Sequence, residues 1–219
     1  MSIIIFVAFF HLFPVVIFLA SSKTLQKNNQ TIFITALLII SFLSDLIGLK
    51  FALLGYNTNL ISNWYLIVAR IIETTILIIP LSISKSKKVF LILAVALTTI
   101  YHIGYSLWFG FAKQSDYLNI FSNTFTCTLA FFAIYTLLSN SNSSKSTLVI
   151  SIIPALAILV YTTAMFIPQM VTNIDDDFEF PIIFQQIRFW AAFGSNIIRD
   201  SLFALFFIQA KKLNYVPGK

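Results

Sequence analysis

Residues 31–49 read TIFITALLIISFLSDLIGL, nineteen positions with a single charged side chain, Asp45. Wound as a helix, such a stretch matches the hydrocarbon core of a bilayer, which takes about 20 apolar residues to cross. It is too long for an ordinary strand and too poor in charge for a helix that faces water. Six further stretches share this character, so the expected spans are 3–20, 31–49, 64–83, 89–108, 118–138, 147–167 and 182–210. The whole chain agrees. Its 219 residues are 58% hydrophobic and 10% charged, where a soluble domain carries roughly 25% charged residues. The reading is an all-α polytopic membrane protein, a single seven-transmembrane-helix bundle over residues 1–219.

The connectors carry turn-forming and polar residues: Gly55-Tyr56-Asn57, Ser84-Lys85-Ser86-Lys87-Lys88 and the Ser/Asn run 139–146. Their charges orient the bundle. Lys23, Lys27, Lys85, Lys87, Lys88, Lys145, Lys211, Lys212 and Lys219 fall on one side. Lys50 and Lys113 fall on the other, with Asp116, Asp175, Asp176, Asp177 and Glu179. Basic loops stay cytoplasmic, so the N-terminus is expected outside and the C-terminus inside. A cleaved signal peptide fits poorly, because no Lys or Arg precedes the first apolar run. Removing that run would also leave six spans with both ends on one face. Trp64 and Trp108 then sit at the outer interface, where indoles partition. The Asp175–Asp177 run reads as a solvated loop first and as a divalent-cation attractor second.

Loop charges removed, three Arg and three carboxylates remain inside spans: Arg70, Arg188 and Arg199 with Asp45, Glu73 and Asp200. An unpaired charge at a helix centre costs about 2.5–3.5 kcal/mol on insertion scales, so these six should face inward and pair. At 1.5 Å per residue, Asp45 lies roughly 6 Å below its outer helix end, Arg70, Arg188 and His102 roughly 9 Å and Glu73 roughly 14 Å. These depths predict one polar layer in the outer half, formed by Asp45, Arg70, Glu73, His102 and Arg188. His11, Tyr101, Tyr105, Asn119, Asn123, Gln185 and Gln186 are within reach of it. Arg199 and Asp200 come out roughly 17 Å deeper than Arg188. The layer has a packing reading, as buried pairs that fix helix register, and a functional one, as a pocket or proton path.

Other chemistries find no support in the residues. Two His and one Cys, with no HExxH, do not make a metal site, and no metal or other cofactor is expected. Nucleophile-elbow and phosphate-loop signatures are missing. The formal charge of +6 lies in short loops between spans, which leaves no basic face for nucleic acid.

Three resemblances bear on function. Arg70-x-x-Glu73 resembles the Arg-x-x-acid pair on the third helix of microbial rhodopsins. However, no Lys occurs between Lys145 and Lys211, which excludes a retinal Schiff base. The segments Phe42-Leu43-Ser44-Asp45-Leu46 and Asp200-Ser201-Leu202-Phe203-Ala204-Leu205 resemble the YhhN lysoplasmalogenase family, which cleaves the vinyl ether of lysoplasmalogens. That resemblance implies acid–base roles for Asp45 and Asp200, although the family is expected to have eight spans and seven are drawn here. More broadly, Ser44-Asp45-Leu46, Gly55, Asn57, Asn63-Trp64-Tyr65, Glu73, Asn123-Thr124-Phe125, Trp190 and Asn196-Ile197-Ile198 resemble uncharacterised seven-transmembrane proteins of Bacteroidetes-type bacteria. This implies a multi-pass protein of the bacterial inner membrane.

The sequence leans away from an enzyme. Its leading reading is a sensory or small-ligand-binding membrane protein, with Asp45, Arg70, Glu73, His102 and Arg188 receiving a small amphipathic or lipid ligand. Beyond the lipid bilayer itself, the expected partner is another membrane protein. A lipid-modifying hydrolase using Asp45 and Asp200 comes second, and their unequal depths count against a shared site. A small transporter or complex subunit is third.

Overall fold

The computed structural model describes residues 2–21, 28–110, 116–139, 145–172 and 182–213. The loop charges Lys23, Lys27, Lys113, Asp175, Asp176, Asp177, Glu179 and Lys219 lie outside these residues. So do the side chains of Asp116, Lys145, Gln185 and Arg188. The described chain is helical throughout: α1 Ser2–Phe10, α2 Leu12–Leu19, α3 Asn29–Leu53, α4 Asn59–Ile78, α5 Lys85–Phe109, α6 Asp116–Leu138, α7 Lys145–Thr172 and α8 Ile182–Lys212. Six helices, lying within α3 to α8, are long and apolar enough to cross a membrane, and the apolar segment of α1–α2 is shorter.

Proline and glycine set several of the boundaries. Pro14 has no N–H to give the carbonyl of Phe10, and its ring crowds that carbonyl. The first apolar run accordingly loses one rung of its hydrogen-bond ladder beside His11, between α1 and α2, while His11 itself keeps helical dihedrals (φ −57°, ψ −28°) and donates to Val7 O at 3.2 Å. Pro80 likewise ends α4 at Ile78 rather than at residue 83. The carbonyl of Ile76, which Pro80 cannot serve, accepts a hydrogen bond from Gln30 Nε2 at 3.4 Å.

At the far end of α3 the sequence expectation stopped at residue 49, and the helix runs to Leu53. It closes in a Schellman motif. Tyr56 N donates to Phe51 O, Gly55 N donates to Ala52 O, and Gly55 takes the left-handed φ of 73° that only glycine adopts freely. Lys50 therefore belongs to the last turn, where a cation suits the negative end of the helix dipole.

Packing divides the bundle into two halves. The apolar core joins Phe18, Leu37 and Leu38, Ile76 and Leu77, Ala130 and Ala133, Ile158, and Phe206 and Phe207. These residues cluster toward the Leu19, Asn29 and Lys212 ends of their helices. Toward the opposite ends the buried side chains turn polar: His11, Asn63, His102, Ser106, Asn119, Asn123 and Ser195. Helices α6, α7 and α8 pack side by side in order, and the α1–α2 element packs against α3 and α8. Helix α5 leans on α4, burying little but His102 and Ser106. It leaves Phe90, Leu97 and Trp108 more than two-thirds exposed. Such large apolar surfaces are foreign to water-soluble chains and normal against lipid.

Small residues let α6 approach its neighbours closely, with Ala130 and Ala133 completely buried. Ala133→Leu should overpack this contact at a cost of about 1–3 kcal/mol. A lower unfolding temperature of the purified protein in bicelles is the expected result; an unchanged one would mean that α6 is not closely packed at this position.

Candidate functional site

His11, between α1 and α2, is buried in the interior, and both its ring nitrogens find carboxylates. Nδ1 lies 2.5 Å from Asp200 Oδ2 and Nε2 lies 3.2 Å from Asp45 Oδ2. Asp200 comes from α8 and is fully buried. Its second oxygen, Oδ1, accepts from Arg199 Nε at 3.0 Å. The Arg199 guanidinium also rests on the Tyr161 ring from α7, 4.6 Å from the centroid, a cation–π contact that suits a desolvated arginine. Asp45, on α3, is the open end of this chain: its side chain keeps 35% of its exposure, against 2% for His11 and 0% for Asp200.

The protons in this trio can be counted. A carboxylate only accepts, and a neutral imidazole has a single N–H to give. Both hydrogen bonds therefore form only when Asp45, His11 and Asp200 together hold two protons, either both on the imidazole or one on the imidazole and one on a carboxyl. With Arg199 included, that state is also electrically neutral, the cheapest condition for charges away from water. The protons belong to the trio rather than to any one of its members. Arg199 Nη2, 3.4 Å from Nδ1, adds fixed positive charge beside the ring.

The predicted outer layer is drawn out along the bundle axis, with Arg70 and Glu73 offset from Asp45, while Glu73 stays within electrostatic reach of Arg199, and Arg70 and Glu73 both stay within reach of Tyr161. Gln30 with Ile76 and Ser41 with Tyr65 set one antiparallel register between α3 and α4. In that register Arg70 and Glu73 stand opposite residues near 36 and 33 of α3, roughly 13–18 Å along the helix from Asp45. There Arg70 Nη1 donates to Glu73 Oε2 at 2.5 Å and Arg70 Nη2 donates to Asn123. His102 lies within the electrostatic reach of Arg70. The side chain of Arg188 lies outside the described residues.

The depth argument against a joint role for Asp45 and Asp200 fails for two reasons. Helix α3 runs four residues past its expected end, which lowers Asp45. Helix α8, at 31 residues, is about 46 Å long, well beyond the roughly 30 Å of hydrocarbon. Depth counted from its first residue therefore overstates the axial separation of Asp200 from Asp45. Lys211 Nζ, bonded to Ala20 O at 3.0 Å, instead aligns α8 with α2 and brings Asp200 level with His11.

Tyr161 was missed, because an aromatic residue in an apolar helix carries no sequence signal for this role. The role of His11 was only partly seen, although a lone ionisable residue three positions before a proline, within a span, was the available sign. No group of metal-ligating residues occurs among the described residues. Comparison with protein-family models, curated proteins and solved structures finds no match to this chain.

The Arg199–Asp200 pair should behave as a buried unit. Arg199→Ala or Asp200→Ala alone strands a charge and should destabilise by about 3–5 kcal/mol. The double variant should cost clearly less than the sum of the two. Equilibrium unfolding in mixed micelles measures all three, and simple additivity would show the pair to be uncoupled.

Proposed function

We propose that this chain is an integral membrane hydrolase of lysoplasmalogenase type, in which Asp45, His11 and Asp200 perform acid–base chemistry on a lipid-like amphiphile. One observation carries the reading. The two carboxylates singled out by the family resemblance lie on different helices, α3 and α8, and meet on the two nitrogens of one imidazole. Acid–base catalysis needs such groups within hydrogen-bond reach of a common reacting centre. The partial exposure of Asp45 provides the side from which substrate arrives.

The chemistry balances within the trio. Cleavage of a vinyl ether begins with a proton added to the alkene carbon, which leaves an oxocarbenium ion. Water adds to that ion and gives up a proton, and the hemiacetal collapses to an aldehyde and an alcohol. One proton leaves the trio in the first step and one returns when water adds, so the doubly protonated state is restored. Arg199 stays charged throughout, holding Asp200 in place and offsetting the negative charge left when the proton departs.

In this reading α1–α2 is the first of seven spans, with its N-terminal end on the outer face of a bacterial inner membrane. The excess of Lys near the other helix ends supports this orientation. Arg70 pairs with Glu73 and Asn123, which suits a packing role, while Arg70 Nε and Glu73 Oε1 are buried without a hydrogen-bond partner among the described residues, so that group retains capacity for a polar ligand.

Purified protein in nanodiscs, given a 1-alkenyl lysophospholipid, should release a long-chain aldehyde. His11→Asn, Asp45→Asn and Asp200→Asn should each lower the rate at least about 100-fold while remaining folded. Wild-type protein that releases no aldehyde, or an Asp45→Asn variant as active as wild type, would refute the assignment.

A further inference from the structure

Beyond the trio, a phenol reaches the same region from the other side of the bundle. Tyr65, on α4, is half-buried, and its hydroxyl lies 3.0 Å from Ser41 Oγ. Ser41 and Asp45 are four residues apart on α3, so they project from one face about 6 Å apart along the axis. Tyr65 also lies within electrostatic reach of Arg199 and of Tyr161. Four helices therefore converge here: the α1–α2 segment with His11, α3 with Asp45 and Ser41, α8 with Arg199 and Asp200, and α4 with Tyr65.

A hydroxyl pair has spare capacity that an ion pair lacks. Each hydroxyl offers one proton and two lone pairs. The Ser41–Tyr65 bond uses one proton, leaving one O–H free for a third oxygen. Either hydroxyl can donate in this pair; when an oxygen gaining negative charge approaches, the phenol, the more acidic of the two, turns its proton to that oxygen and accepts from Ser41 instead. We propose that Tyr65, oriented by Ser41, is a further catalytic residue of the centre, donating a hydrogen bond to the substrate's ether oxygen as the carbon–oxygen bond of the hemiacetal breaks. This rests on the hydrolase reading and adds a residue that neither the trio nor the family resemblance supplies. The trio gives the proton that converts the departing oxygen to an alcohol and takes back the proton of the hemiacetal hydroxyl as the aldehyde carbonyl forms, so its two protons are again in place. Tyr65 lends a hydrogen bond and keeps its own proton, so nothing is consumed.

The test uses the full-length protein in nanodiscs with a 1-alkenyl lysophospholipid. Tyr65→Phe should lower kcat by about 10²–10³-fold, the usual loss on removing one donor from a developing oxyanion, and change KM little. Ser41→Ala should give a smaller loss, because the phenol keeps its proton but loses its orientation. Fluorotyrosines placed at position 65 provide the readout that a packing role would not move: the rate should change stepwise with the acidity of the phenol. An unchanged kcat in Tyr65→Phe, or a rate insensitive to fluorination, overturns the proposal. If wild type cleaves lipid and Asp45→Asn does not, while Tyr65→Phe is fully active, only this inference falls. If Asp45→Asn and His11→Asn cleave as wild type does, the acid–base reading falls and this inference falls with it.

Discussion

An imidazole fixed between two carboxylates is the constraint on which the interior of this bundle depends. His11 belongs to the first apolar segment, Asp45 to α3 and Asp200 to α8, so a single ring ties together elements that are remote in sequence. In lipid there is no water to take over such contacts if they fail, and the helices gain little from burying apolar faces against one another. Polar contacts of exact register then carry much of the information about which helix meets which. The Arg199–Asp200 pair and the Tyr161 ring beneath it extend this tie to α7.

The trio sits where the bundle changes character. Toward the Lys212 end the helices interlock through Leu, Ile and Phe side chains. Toward the other end more of the buried positions are polar, among them His11, Asn63, His102, Asn119 and Ser195. A centre buried beside the apolar core keeps its electrostatics strong, while Asp45 retains part of its exposure. The lost rung beside His11 comes from a covalent property of Pro14, the missing N–H, and the backbone stays helical through His11.

Much of the architecture could be read from composition and hydropathy. Six of the seven expected spans, from 31–49 onward, match helices long and apolar enough to cross a membrane among the described residues, because the energetic contrast between lipid and water is large and local. Helix ends were less legible: α3 outran its expected end by four residues because its Schellman closure at Gly55 depends on geometry that hydropathy does not record. That small error mattered, since it placed Asp45 too close to the surface and seemed to separate it from Asp200. Four of the six expected intramembrane charges pair, Arg70 with Glu73 and Arg199 with Asp200, while Asp45 stays part-exposed and the side chain of Arg188 lies outside the described residues. Which charges met across helices was not legible, because pairing depends on rotation and register, and span boundaries fix neither. His11 shows the same limit, a lone imidazole whose meaning comes only from the two helices that face it.

The most direct test of this account is solid-state nitrogen NMR of the histidine side chains in lipid bilayers. The chain has two histidines, so a His102→Gln variant leaves His11 as the only source of imidazole signal. The two ring nitrogens should both report strong hydrogen bonding to carboxyl groups. Asp200→Asn should displace chiefly the Nδ1 resonance and Asp45→Asn chiefly the Nε2 resonance. If neither substitution moves either signal, His11 does not bridge α3 and α8, and the centre described above does not exist.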